Sequence, residues 1–236
     1  SADGRYIAFI SPATTLVPNV SGFLDRVYVH DLQTGITTLE SVSADGNPGN
    51  RASYDLSISA DGQYLSFSSH STNLVPNDTN NSIDVFVRNR STGDVVRASI
   101  ATDGSQGNLK SSAPSIAPDG STVAFSSHAN TLIPNDTNTC QLGDEACGEI
   151  YLHNLISGET RRVSWAYDGT ESNGESSGVG EMSYDGRFLA FSSDSSNLVF
   201  SDTNNAVDVF LYDQEGVFSI TPTTTPTATP SPTPTS

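Results

Sequence analysis

Basic side chains are scarce in this chain of 236 residues. Lys110 is its one lysine, and ten Lys and Arg face 27 Asp and Glu, leaving a formal charge of -17 at pH 7. Nucleic acid and anionic membrane surfaces both recruit through basic patches, so the balance argues against either as a partner and makes divalent cations better matched. Long apolar runs are missing, so no segment reads as a membrane-spanning helix. Sustained helical periodicity is missing too, which points to an all-β chain. No His-Glu-x-x-His pair or phosphate-binding glycine loop occurs, and no catalytic residue is assigned. Paired acids for glycoside hydrolysis have only the abundance of Asp and Glu behind them. The chain has no initiator Met and no leader segment and opens inside a repeat, which reads as a processed product or a fragment.

What fills the sequence is a repeat. Ser1-Ala-Asp-Gly-Arg-Tyr-Ile-Ala-Phe9 returns as Ser59 to Phe67, Ala117 to Phe125 and Ser183 to Phe191. The anchors Asp3, Asp61, Asp119 and Asp185 are spaced by 58, 58 and 66 residues. A period of this size signals stacked blades or coils. In each unit the Asp-Gly turn leads into an alternating run, such as Arg187 to Ser192, that reads as a half-buried strand. A polar loop follows, then a β-branched and aromatic strand beginning at Arg26, Asp84, Glu149 or Asp208. Tight turns at Gly35, Gly93 and Gly158 lead to a third run, Thr37 to Val42 or Thr160 to Ser164, because glycine adopts positive φ freely. A second Asp-Gly at Asp45, Asp103 and Asp168 closes it. A short segment before the next anchor, Tyr54 to Ile58, Ala113 to Ile116 or Val179 to Met182, completes four strands.

Four antiparallel strands per repeat, set radially, make a β-propeller. The run Pro118-Asp-Gly-(x)2-Val-Ala-Phe-Ser, followed by Ile150-Tyr-Leu-His-Asn-Leu-(x)-Ser-Gly, resembles the TolB-type propeller repeat, and the resemblance extends over residues 1 to about 220. It implies a binding or scaffold role, since propellers of that kind mostly bind proteins or stand beside a catalytic domain; the units here are longer than that family's usual blade.

Both cysteines fall in one insertion, Cys140 to Cys147, in the third unit. The expectation is a mutual disulfide, which implies an oxidising compartment; two free thiols are the alternative, and a metal held by two thiolates alone is weaker. From Thr221 the composition turns to Thr and Pro, so the chain divides into a propeller, 1–220, and a tail, 221–236. The tail reads as an extended stalk or linker with Thr223, Thr225, Thr227 and Thr229 as O-glycan acceptors, which points outside the cell. A sharper reading uses parity: Pro222, Pro226, Pro230, Pro232 and Pro234 are all even-numbered. In an extended strand they would share one edge, leaving Thr221, Thr223, Thr225, Thr227, Thr229, Ser231 and Thr233 free to pair with another chain. The first unit lacks the short segment that begins the others, so one blade is incomplete. Aligning Gly216 on Gly93 puts the closing strand at about position 235 to 241, so closure within the chain falls short. Donation of the tail to a neighbour would instead propagate head to tail into a filament.

Three acidic loops carry hard oxygen ligands at matching places: Asp78, Asn80 and Asp84; Asp136, Asn138 and Glu149; Asp202, Asn204 and Asp208. Calcium would suit them, although the fifth-position ligand, Gly and late Glu of an EF-hand are missing. The alternative is an Asx-turn bracing the loop without metal. The first unit breaks the pattern with Val20 and Arg26. His70 and His128 hold equivalent places, matched by Pro12 and Asp194, and a two-His, one-Asp metal site is one reading; simple repeat equivalence is the other. Sequons stand at Asn19, Asn77, Asn80, Asn89 and Asn135.

The sequence therefore predicts an all-β, four-repeat propeller of four-stranded antiparallel blades with the first blade incomplete and an extended tail. Its expected role is that of a non-enzymatic, extracellular or cell-surface structural subunit whose partner is itself, with glycans and calcium as candidate ligands. A ligand- or protein-binding propeller within a larger cell-surface protein is the runner-up.

Overall fold

The computed structural model describes residues 1–18, 20–138, 147–204 and 206–215. Among them there is no helix, so none is long and apolar enough to cross a membrane, and the strands form four antiparallel sheets. The first holds β1 (Tyr6–Ser11), β2 (Arg26–Asp31) and β3 (Ile36–Leu39). The second holds β4 (Ser53–Ile58), β5 (Tyr64–Ser69), β6 (Asp84–Asn89) and β7 (Val95–Arg97). The third repeats it with β8 (Ser111–Ile116), β9 (Thr122–Ser127), β10 (Glu149–Asn154) and β11 (Thr160–Arg162). The fourth has β12 (Ser176–Ser177), β13 (Phe188–Ser193) and β14 (Asp208–Asp213).

Alternation along the strands gives each sheet two faces, and three apolar clusters lie between consecutive sheets. Val27 and Val29 of the first meet Leu65, Phe67 and Phe86 of the second. Val85 and Val87 meet Val123, Phe125 and Tyr151 of the third. Ile150 and Leu152 meet Leu189, Phe191 and Phe210 of the fourth. One aromatic pair recurs at the same register in every sheet: Phe9–Tyr28, Phe67–Phe86, Phe125–Tyr151 and Phe191–Phe210 stack at 5.6, 6.0, 5.9 and 5.7 Å. Such cross-strand pairs contribute about 0.5–1.5 kcal/mol each beyond the area they bury.

The Asp-Gly turns also join sheets. Ala2 N–H donates to Ala60 O at 2.8 Å, and Ala60 N–H to Pro118 O at 2.9 Å. The Tyr6 ring covers Gly62, and Tyr64 covers Gly120, at φ of 71° and 73°. Seryl hydroxyls complete the seam: Ser57 Oγ accepts from Ile116 N–H at 3.3 Å and Ser115 Oγ from Met182 N–H at 3.0 Å.

The strands differ from expectation in two ways. The third runs end at Leu39 and Arg162, short of Val42 and Ser164, because a seryl hydroxyl there takes over from the main chain: Val27 N–H donates to Ser41 Oγ at 3.1 Å and Ile150 N–H to Ser164 Oγ at 3.0 Å. Glu40, next after Leu39, receives Arg88 at 2.8 Å and Arg90 at 3.0 Å from the second sheet. In the fourth unit the pairing falls on β12, upstream of Val179 to Met182, where only a Met182–Leu189 bridge remains. Gly178, at φ 60°, bends the chain between them, as Asp55 and Ala113 do at φ 38° and 51° in β4 and β8, where the register shifts.

Candidate functional site

The acidic loops stand at the start of the second long strand of the second, third and fourth sheets. In the second sheet Asx-type geometry shapes the loop, with Ser82 N–H donating to Asn80 Oδ1 at 3.0 Å. The oxygens that would face a cation face a guanidinium from β7. Arg97 Nη1 lies 3.2 Å from Asp78 Oδ1, 3.1 Å from Asp84 Oδ2 and 2.8 Å from Gln106 Oε1. Ser99 Oγ donates to Asp84 Oδ1 at 2.6 Å, and Asn80 Nδ2 to Asp84 Oδ2 at 2.9 Å. Burial pushes the Asp78 carboxyl above its ordinary range.

The third sheet repeats the device from β11. Arg162 Nη2 meets Glu149 Oε1 at 2.5 Å, and its Nη1 reaches Asp136 at 3.4 Å and Glu171 at 3.7 Å. Glu149 also accepts from Ser164, from Ser172 at 2.6 Å and from Asn138 at 2.5 Å. Tyr151 donates its hydroxyl to Asp136 at 2.8 Å, and the Trp165 ring lies 4.7 Å from the Arg162 guanidinium carbon. Burial pushes the Glu149 carboxyl up to about 7 against the opposing pull of Arg162 and its hydroxyl and amide donors, and raises Asp136 and the Tyr151 hydroxyl as well.

In these two loops the charge expected of a metal is supplied by an arginine of the same chain. The first sheet inverts the arrangement: Arg26 is buried and donates to the carbonyls of Ser21 at 3.1 Å and Gly22 at 3.3 Å, with Leu39 where the second and third sheets carry arginine. In the fourth, Asn204 Nδ2 donates to Asp208 Oδ2 at 2.9 Å, and Asn204 N–H points to Asp202 Oδ1 at 3.4 Å. Among the described residues, no group of three or more His, Cys, Asp or Glu is arranged to hold a metal ion. The arginines were legible as a signal: within the second and third repeats an acid at the head of the second strand goes with Arg in the third.

His128 and Asp194 both meet Glu175, at 3.7 Å from its carboxylate and 2.6 Å from its N–H, whereas His70 lies edge-on to Tyr54. Cys147 is buried; Cys140 lies outside the described residues. So do Thr221, Thr223, Thr225, Thr227, Thr229, Ser231 and Thr233. Asn77 and Asn135 stand exposed at loop tips, while the Asn80 amide is committed to Asp84 and Gly107 O.

A different feature is an open backbone edge. β5, β9 and β13 each carry β4, β8 or β12 on one side; β1 pairs with β2 alone among the described residues. β4 and β8 are rich in serine, and β8, an edge strand, includes Pro114 where its register shifts, the kind of place sheets allow proline.

No family model matches the chain, and no curated protein matches it. Among solved structures it is similar to TolB from Acinetobacter baumannii, at 19% identity and TM-score 0.51 over 94% of this chain and 42% of that one. A putative TolB from Agrobacterium tumefaciens aligns at 16% identity and TM-score 0.56, covering 93% and 61%. The tricorn protease aligns at 10% identity and TM-score 0.50, covering 89% and 17%. This chain thus spans 42% and 61% of the two TolB structures. At these identities the likeness is one of architecture, and the architecture is that of a TolB-like β-propeller.

Proposed function

We propose that the chain is a non-enzymatic, extracellular structural subunit, a propeller of four blades that assembles with copies of itself. The Thr/Pro-rich tail of one copy adds as a strand to β1 of the next. The observation that carries this reading is that, among the described residues, β1 pairs with β2 alone, where each equivalent strand of the other sheets has a second neighbour. The composition of those neighbours supports it: β4 and β8 are hydroxyl-rich and β8 is tolerant of proline, which matches the composition of the tail. Main-chain hydrogen bonds would supply affinity, and alternate threonine side chains the register. Threonine hydroxyls not engaged in pairing would carry glycans. Deleting residues 221–236 tests it: electron microscopy and light scattering should find polymers from the full chain and folded monomers from the shortened one. Polymers unchanged by the deletion would defeat the reading.

A second reading has its own support. The chain spans only part of the TolB structures, which suits a ligand- or protein-binding propeller within a larger cell-surface protein, tethered by the tail. Intact-mass analysis of the native chain ends separates the two.

A further inference from the structure

Resting on the self-assembly reading above, we infer that copies also meet through side chains, the leading face of the fourth sheet docking on the trailing face of the first sheet of another copy. Each interior junction uses the same residues. The first and third positions after the opening residue of the second long strand, Val27 and Val29, Val85 and Val87, Ile150 and Leu152, are buried against the sheet that follows. Their counterparts in the fourth sheet are Val209 and Leu211, which are 53% and 43% exposed. The receiving side at each junction is Leu65 and Phe67, Val123 and Phe125, or Leu189 and Phe191. Its counterpart in the first sheet is Ile7 and Phe9, and Ile7 is 48% exposed where Leu65, Val123 and Leu189 are fully buried.

Two further details match. Gly62 and Gly120 lie under Tyr6 and Tyr64 of the preceding sheet, whereas Gly4, at the same φ of 71°, has open space where they have a ring. The residue that would cover Gly4 is Phe188, the counterpart of Tyr6 and Tyr64 in the fourth sheet. At the turns, Ala2 N–H and Ala60 N–H reach the next sheet's carbonyl, and Tyr184, their counterpart in the fourth, is exposed. Every element of an interior junction is therefore present at the two ends of the array, half on each. The occupant whose shape and chemistry the molecule itself specifies is a second copy of this chain. Such a contact is heterologous, so it closes into a ring or continues as a fibre according to the rotation per copy. It also brings the end of one copy's fourth sheet beside the next copy's β1, where the tail is proposed to add.

The test uses the full chain with charges placed on exposed positions, which leaves each fold intact. One variant carries Val209→Asp and Leu211→Asp, blocking the leading face; the other carries Ile7→Asp, blocking the trailing face. By analytical ultracentrifugation each alone should remain monomeric where the parent chain assembles, with unchanged circular dichroism and melting. Mixed, they should form one-to-one dimers and nothing longer, because one free leading face and one free trailing face remain. Assembly of either variant to the parent's extent overturns this inference while leaving tail donation standing. A parent chain that stays monomeric at every concentration removes both.

Discussion

Replacing Gly62 by alanine separates two costs that the repeat allows to be measured apart. At Gly4 and Gly62 the backbone has the same φ, 71°, so alanine suffers the same left-handed strain at both, about 1–2 kcal/mol. At Gly4 the new methyl meets nothing within 4 Å; at Gly62 it would lie 2.3 Å from Tyr6 Cδ2 and 3.0 Å from Cγ. The ring has little freedom to retreat, since the Arg5 and Arg90 guanidinium carbons lie 4.7 and 4.6 Å from its centre. Overpacking of this kind costs about 1–3 kcal/mol more. Gly4→Ala should therefore destabilise by about 1–2 kcal/mol and Gly62→Ala by about 2–5. Denaturant unfolding, at a dilution where the chain is monomeric, measures both. Adding Tyr6→Ala to Gly62→Ala should remove most of the difference between the two sites. If Gly62→Ala and Gly4→Ala agree within about 0.5 kcal/mol, the resolution of such comparisons, the tyrosine-on-glycine contact does not hold the first two sheets together.

Arg162→Met should cost about 3–5 kcal/mol, because it strands Glu149 and Asp136 in the interior. Arg187→Met, which breaks a solvent-screened pair with Asp213, should cost far less; equal losses in denaturant would refute the distinction. Glu149 titrates near 7 in the folded chain against an ordinary 4.5, so its folded form holds the proton more tightly than the unfolded one. Stability from this group is full below pH 4.5 and declines as pH rises towards 7, by up to about 3 kcal/mol. Glu149→Gln should flatten that decline, and a pH profile identical to the parent's would count against it. A chelator should leave the unfolding midpoint unchanged, since guanidinium groups fill two of the three acidic loops; a fall reversed by added calcium would return a metal to them.

The period, the strands and the turn glycines were readable because each repeat tests the others: a residue type seen four times at one register marks a structural demand. The acidic loops were readable as clusters, and the arginine recurring in the third strand hinted at their charge balance without showing the contact. Arg97 and Arg162 lie 13 residues along the chain from Asp84 and Glu149, and only strand pairing brings them face to face. The ion pairs of Glu40 were hidden for the same reason, since its partners Arg88 and Arg90 belong to the following repeat. β12 escaped because the fourth unit keeps the Ser176–Ser193 pairing that matches Ser53–Ser69 and Ser111–Ser127 but, past Gly178 and Gly180, retains only a bridge where the other sheets continue the ladder. The first unit's missing segment pointed to β1, which pairs with β2 alone among the described residues.

Trp165 is the chain's one tryptophan, and it rests on the Arg162 guanidinium at the centre of the third sheet's ion cluster. Excited at the red edge of the absorption band, beyond the tyrosines, the molecule carries a single emitter at a known address. Its fluorescence will report the opening of that cluster alone, while far-ultraviolet dichroism averages over all sheets. Comparing the two signals along an unfolding curve would tell whether the array yields as one body or sheet by sheet.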